Sequence, residues 1–118
     1  LLVVHDGYDY LRYASLRVVL DNLIHRLEIP PLIAALTQSP DRLVEYAGHA
    51  GHARFVAEEL PAQLGRDFPL HSSPAARGLM GASFGAVASM HANGPGCTSW
   101  NRIPSSIPLS QLRVRMSV

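Results

Sequence analysis

Three short apolar runs constrain what this chain can become: LLVVH at residues 1–5, LIAALT at 32–37 and RGLMG at 77–81. The first, a continuous apolar run, suits a strand buried on both faces, as parallel sheets require, and the other two read as short apolar strands. Each run is followed by a segment of helical character, so the order reads β-α-β-α-β-α. That order predicts an α/β fold, with a parallel sheet of about three strands, right-handed crossovers and flanking helices.

The intervening segments support the reading. Across residues 11–27 the apolar positions Leu16, Val19, Leu20, Leu23, Ile24 and Leu27 recur at three and four, with Arg17, Asp21, Asn22, His25 and Arg26 between them. This is an amphipathic helix, ended by Pro30-Pro31. Residues 38–51 read as a polar loop. In residues 52–68, Phe55, Val56, Leu60 and Leu64 share one helical face, and Pro61 should kink or shorten that helix because it removes a hydrogen bond. Residues 84–91 are helix-compatible, and Asn93-Gly94-Pro95-Gly96 breaks the pattern. The expectation is one partial domain over residues 1–92 and an irregular tail over 93–118.

With 118 residues and 47% hydrophobic content, the chain can bury one modest core. Its ten basic residues are all Arg, they are interspersed with nine acids, and the formal net charge is +1. That balance gives no attraction for nucleic acid or an anionic membrane. No apolar run approaches the 18 or so residues of a membrane span. The lone Cys97 rules out an intramolecular disulfide and fits a reducing compartment, so a cytoplasmic location is expected. No cofactor motif is present. His49 and His52 form an H-x-x-H pair, with His5 and His71 elsewhere, but a zinc site needs three or four convergent donors, so solvated loop histidines are the default.

One motif carries chemistry. Within GLMGASFGAVASM, residues 78–90, Gly81, Ser83 and Gly85 spell G-x-S-x-G where a strand should turn into a helix. A serine hydroxyl is a weak nucleophile unless a base takes its proton and fixed donors hold the oxyanion. At a nucleophile elbow the serine sits on a sharp, strained turn, and small flanking residues let strand and helix approach. The helix N-terminus then aims N–H groups at the reacting carbon, with Phe84 N–H one donor. A second donor should come from the loop after a neighbouring strand, where Asp6-Gly7-Tyr8 could present the Tyr8 N–H. The rival reading is an ordinary glycine-lubricated strand-helix turn.

With HDG after one strand and GASFGA after the third, the chain resembles the esterase family of α/β-hydrolases that includes enterochelin esterases, esterase D and the antigen 85 mycolyltransferases. The stretches LLVVHDGYDYL, DRLVEYAGHAGHARFVAEELPAQL and RGLMGASFGA carry the likeness, and the enterochelin-esterase-like branch fits best. The resemblance implies a sheet in which the first strand lies between the second and third, bringing Tyr8 beside Ser83. It implies a serine nucleophile at Ser83, oxyanion donors at Tyr8 and Phe84, and a small-molecule ester substrate such as a siderophore, cleaved through an acyl-serine. It places Arg42 and Glu45 in a loop near the site mouth, with surface ion pairing as the alternative.

The chain departs from that family after the elbow. Members deliver an acid and then a histidine downstream of the serine. The 35 residues after Ser83 contain no Asp or Glu and one histidine, His91. His91 lies eight positions along the helix, about 12 Å of rise away, too far to act as base. His5, at the end of the first strand, is a candidate substitute base, while Asp6 and Asp9 suit loop support and Cys97 has no activating partner. The expected picture is a clipped esterase fragment with a replaced C-terminus, inactive as it stands. The alternative is a non-catalytic remnant or interaction module that self-associates through exposed sheet edges.

Overall fold

The computed structural model describes residues 1–93 together with Val114 and Arg115. Strands β1 (Leu2–His5), β2 (Leu32–Thr37) and β3 (Gly78–Met80) form a parallel sheet with β1 in the centre. The two-residue β4 (Val114–Arg115) runs parallel to β2 on its far side. It falls in the segment expected to be irregular; apart from Asn93 the rest of that tail, Cys97 included, lies outside the described residues. The strand order β3-β1-β2 is the one the family resemblance implied.

Alternation along β1 explains why all four of its residues are buried. Successive side chains point to opposite faces. Leu2 and Val4 enter a cluster with Leu16, Leu20, Ile29 and Leu32. Val3 packs on the other face with Val56, Ala57 and Ala92. Burying a valine of this kind is worth roughly 1.5–3 kcal/mol, so β1 anchors both halves of the core. The same alternation sends His5 to the Val3 face, toward the helices that follow β2 and β3.

The helices differ from expectation in three places. Residues 7–25 form two helices, α1 (Gly7–Tyr13) and α2 (Leu16–His25), because Ser15 takes a positive φ of 48° and breaks the run. Leu16 and Leu20 face the core, whereas Val19 and Leu27 are exposed. The 38–51 segment is not simply loop: it contains α3 (Arg42–Glu45), whose N-cap Asp41 accepts from Val44 N–H, and the start of α4 (Ala50–Arg54), capped by His49. The anticipated break at Pro61 takes the form of a π-helical turn, Phe55–Glu59, leading into α5 (Leu60–Asp67). The Leu60 N–H reaches back to the Phe55 carbonyl, so the widened turn accommodates the proline in the first turn of α5. A 3-10 turn, Pro74–Ala76, leads into β3, and α6 (Phe84–Ala92) follows it.

Candidate active site

β1 and β3 are paired in register with Val4 opposite Met80, so both end at the same edge of the sheet. Counting four residues onward from each partner reaches Tyr8 in the first turn of α1 and Phe84 at the start of α6. Ligands bind at this carboxyl edge in open α/β sheets, where connections diverge to the two faces. The connections here do diverge: α2 packs with the Leu2 and Val4 cluster, while α6 supplies Ala92 to the Val3 cluster.

Ser83 is the most strained residue of the edge. Its φ of 54° and ψ of −121° lie in a region that L-residues avoid and glycine tolerates, at a cost of order 1–3 kcal/mol. The turn is held on one side by the Gly85 N–H donating to the Ala82 carbonyl at 2.9 Å. On the other, the Ala86 and Val87 N–H groups donate to the Ser83 carbonyl. Gly81 has no room for a side chain, because a Cβ there would lie 2.4 Å from the Gly85 carbonyl carbon. A Cβ on Gly85 would meet His5 Cβ at 3.1 Å and Asp6 Oδ2 at 3.4 Å. The first turn of α6 is thus seated on the end of β1.

The Ser83 side chain is exposed, and no described residue is hydrogen-bonded to its hydroxyl. The N–H groups of Tyr8 and Phe84 also make no hydrogen bond to a described residue, as expected for positions at helix starts. These are the two N–H groups singled out from the sequence. They flank the same sheet edge and have donor capacity to spare.

Beneath the elbow lies a polar layer the sequence revealed only in pieces. His5 is fully buried. Its Nδ1 lies 3.1 Å from Ser89 Oγ and its Nε2 lies 3.2 Å from His52 Nε2. Ser89 donates to the Gly85 carbonyl at 2.8 Å. Tyr46 meets the His5 ring edge-on, with ring centroids 5.1 Å apart. Burial and the neighbouring His52 push the His5 imidazole down to about 4, against a backbone contact at Met80 and the Asp6 carboxylate, which favour the cation. Burial also lowers His52, opposed by Glu45 and assisted by His49. The Tyr46 phenol is raised by burial and by Asp6. His5 is therefore not a substitute base for Ser83: both ring nitrogens are engaged below the elbow, by α4 and α6.

Arg42 and Glu45 do not pair with each other. Arg42 reaches Asp6 Oδ2 at 2.8 Å, joining α3 to the turn after β1. The Asp6 carboxylate is nearly buried and its Oδ1 has no partner among the described residues, so Arg42 offsets the cost of a desolvated charge. Glu45 accepts from the Ser39 hydroxyl and lies 3.9 Å from His52 Nδ1. The surface ion-pair alternative gives way to bracing of the site floor, because one partner of the Arg42 pair is buried. Asp6 matches its expected role in supporting the loop.

Two further histidines, His49 and His71, serve local structure. His49 accepts from the His52 N–H as the cap of α4, and His71 accepts from the Ser73 N–H. Among the described residues no group of three or more His, Cys, Asp or Glu side chains is arranged to hold a metal ion. No described helix is long and apolar enough to cross a membrane. The pairing of His5 with His52, 47 positions apart, had no local sequence signal. Only the strand order and the placement of α4 over β1 bring them together. No protein-family model matches the chain, and comparison with curated proteins and with solved structures finds no match.

Proposed function

We propose that this chain carries the nucleophile elbow of a serine hydrolase with an α/β-hydrolase type of sheet, cleaving a carboxylic ester through an acyl-serine at Ser83. The observation that carries the reading is the backbone of Ser83: a non-glycine residue held at φ 54° and ψ −121° on an exposed strand-to-helix turn. Such strain persists only where the surroundings over-determine it, and here Gly81 and Gly85 are packed to permit it. The unengaged N–H groups of Tyr8 and Phe84 would receive the oxyanion. Among the described residues no histidine is hydrogen-bonded to Ser83, so the reading needs a base that those residues do not place beside it. A siderophore ester of the enterochelin kind is the substrate class to try first, on the sequence resemblance alone.

The test is covalent labelling with a fluorophosphonate, read by intact mass, with Ser83→Ala as control. Without a base the adduct should form slowly, and added imidazole should accelerate it severalfold in the wild-type chain alone. A chain that forms no Ser83-dependent adduct, with imidazole present and the fold intact, would remove Ser83 from any acyl-transfer role.

A second reading, an interaction module without catalysis, is favoured by one observation. Among the described residues β3 has a neighbouring strand on one side only, and Phe84, Val87 and Met90 are exposed at helical spacing on α6 beside it. An open strand edge beside an apolar stripe is a pairing surface, and the partner we infer is a second copy of the chain. Sedimentation should then show a dimer that Met90→Glu weakens. A monomer at high micromolar concentration would exclude that reading.

A further inference from the structure

We propose that His5 is a positioning residue for the elbow, donating from Nδ1 to Ser89 Oγ as a neutral tautomer that His52 enforces by donating its own Nε2–H. The inference rests on reading Ser83 as the nucleophile and deepens it, since it assigns what holds the helix turn that begins there. The argument starts from a hydrogen count. A serine hydroxyl has one hydrogen, and the shorter of its two contacts here, 2.8 Å, goes to the Gly85 carbonyl four residues back. The second contact, 3.1 Å to His5 Nδ1, must then be one in which the ring donates. Nδ1 carries the proton, which leaves His5 Nε2 a bare acceptor. His52 Nε2, 3.2 Å away, can approach it only as a donor.

Each link joins a different element. Ser89 and Gly85 belong to α6, His5 ends β1 and His52 lies on α4. The chain of hydrogen bonds ties the first turn of α6, immediately after Ser83, to the sheet and to the helix across from it. Other groups face the pair as well. Tyr46 closes one side with its ring nearly perpendicular to that of His5, Asp6 stands beside it in contact with Arg42, and Met80 contributes a backbone contact from β3. On the far side of His52, Nδ1 faces Glu45, and His49 lies nearby.

The arrangement has a consequence for protonation. A first proton enters at His52 Nδ1, opposite the Glu45 carboxylate, and leaves every donor and acceptor of the chain in place. A proton on His5 Nε2 would face the His52 N–H at 3.2 Å and break the link. His52 therefore buffers the latch and His5 must stay neutral for it to hold. Both imidazoles are displaced toward the neutral form, as this requires.

Long-range proton-nitrogen correlation spectra of the 15N-histidine-labelled chain test this directly. At pH 7.5 His5 should appear as the Nδ1–H tautomer, the less common form of a free imidazole, and His52 as Nε2–H. Ser89→Ala should weaken the His5 preference and raise hydrogen exchange about tenfold at the amides of residues 85–89. Ser89→Thr, which restores a hydroxyl, should return both toward wild type. Finding His5 as Nε2–H would overturn the proposal, because Ser89 would then donate to the ring and the chain would run the other way. Unchanged exchange in a folded Ser89→Ala would overturn the positioning role. Neither readout uses chemistry at Ser83, so an unreactive Ser83 removes the catalytic reading and leaves the tautomer result standing. A reactive Ser83 with the opposite tautomer removes the positioning role alone.

Discussion

Gly81 and Gly85 stand so close across the elbow that a Cβ on Gly81 would lie 2.4 Å from the Gly85 carbonyl carbon and 2.5 Å from its oxygen. Both obstructing atoms are backbone, so no rotamer change relieves the clash. At Gly85 the nearest atoms are His5 Cβ at 3.1 Å and a carboxylate oxygen at 3.4 Å, so a shift of a few tenths of an ångström would make room. Gly81→Ala should therefore cost about 3 kcal/mol or prevent folding, and Gly85→Ala about 1 kcal/mol. Urea unfolding of the two variants decides it. Equal midpoints would show that the elbow is looser than its geometry implies.

Strain at Ser83 makes a prediction of opposite sign. Ser83→Gly relieves a φ of 54° and ψ of −121° at a side chain that is exposed and makes no hydrogen bond to a described residue. The relief is partly offset by the greater unfolded-state entropy of glycine, leaving a net gain of about 1 kcal/mol. Ser83→Ala keeps the Cβ and should leave stability unchanged. A Ser83→Gly chain no more stable than Ser83→Ala would mean that no energy is stored at the turn. Stabilisation on replacing the proposed nucleophile by glycine is what a functional compromise predicts.

A second strained position has no such excuse. Leu27 follows α2 at φ 58° in a Schellman arrangement, its N–H donating to the Ile24 carbonyl and the Glu28 N–H to the Leu23 carbonyl. The conformation favours glycine, and the leucine side chain is 88% exposed, so little packing is lost by deleting it. Leu27→Gly should raise stability by about 0.5–1 kcal/mol in urea unfolding. Leu27→Ala, which keeps the strained Cβ, should not.

The uneven legibility of the fold has physical causes. β2 and α6 fall within a residue of where apolar run length and flanking breakers put them, because Pro30-Pro31 before β2 and the Asn93-Gly94 break after α6 leave strong local signals. The split between α1 and α2 was hidden, since Ser15 adopts a left-handed conformation that nothing in its identity demands. The candidate site divides the same way. Gly81, Ser83 and Gly85 are contiguous, so their spacing announces the turn. Arg42 with Asp6, and His5 with His52 and Ser89, meet only through strand order, and no period along the chain links them.

The buried His5 also sets how stability follows pH. Its pKa is held near 4 in the folded chain, against an ordinary value of 6.5 when unfolded. Below pH 6.5 the unfolded chain takes up a proton that the folded chain refuses, so the neutral ring's contribution is complete above that value. It is lost as pH falls from 6.5 toward 4 and changes no further below. Between pH 7 and 5 the loss from this one group is about 2 kcal/mol. His52, lowered for the same first reason, acts in the same direction. Unfolding midpoints at pH 7 and pH 5 should differ accordingly. His52→Gln should narrow the difference, because it deletes one lowered imidazole and removes the neighbour that helps hold His5 down. A wild-type chain equally stable at both pH values would place His5 outside the closed environment described for it.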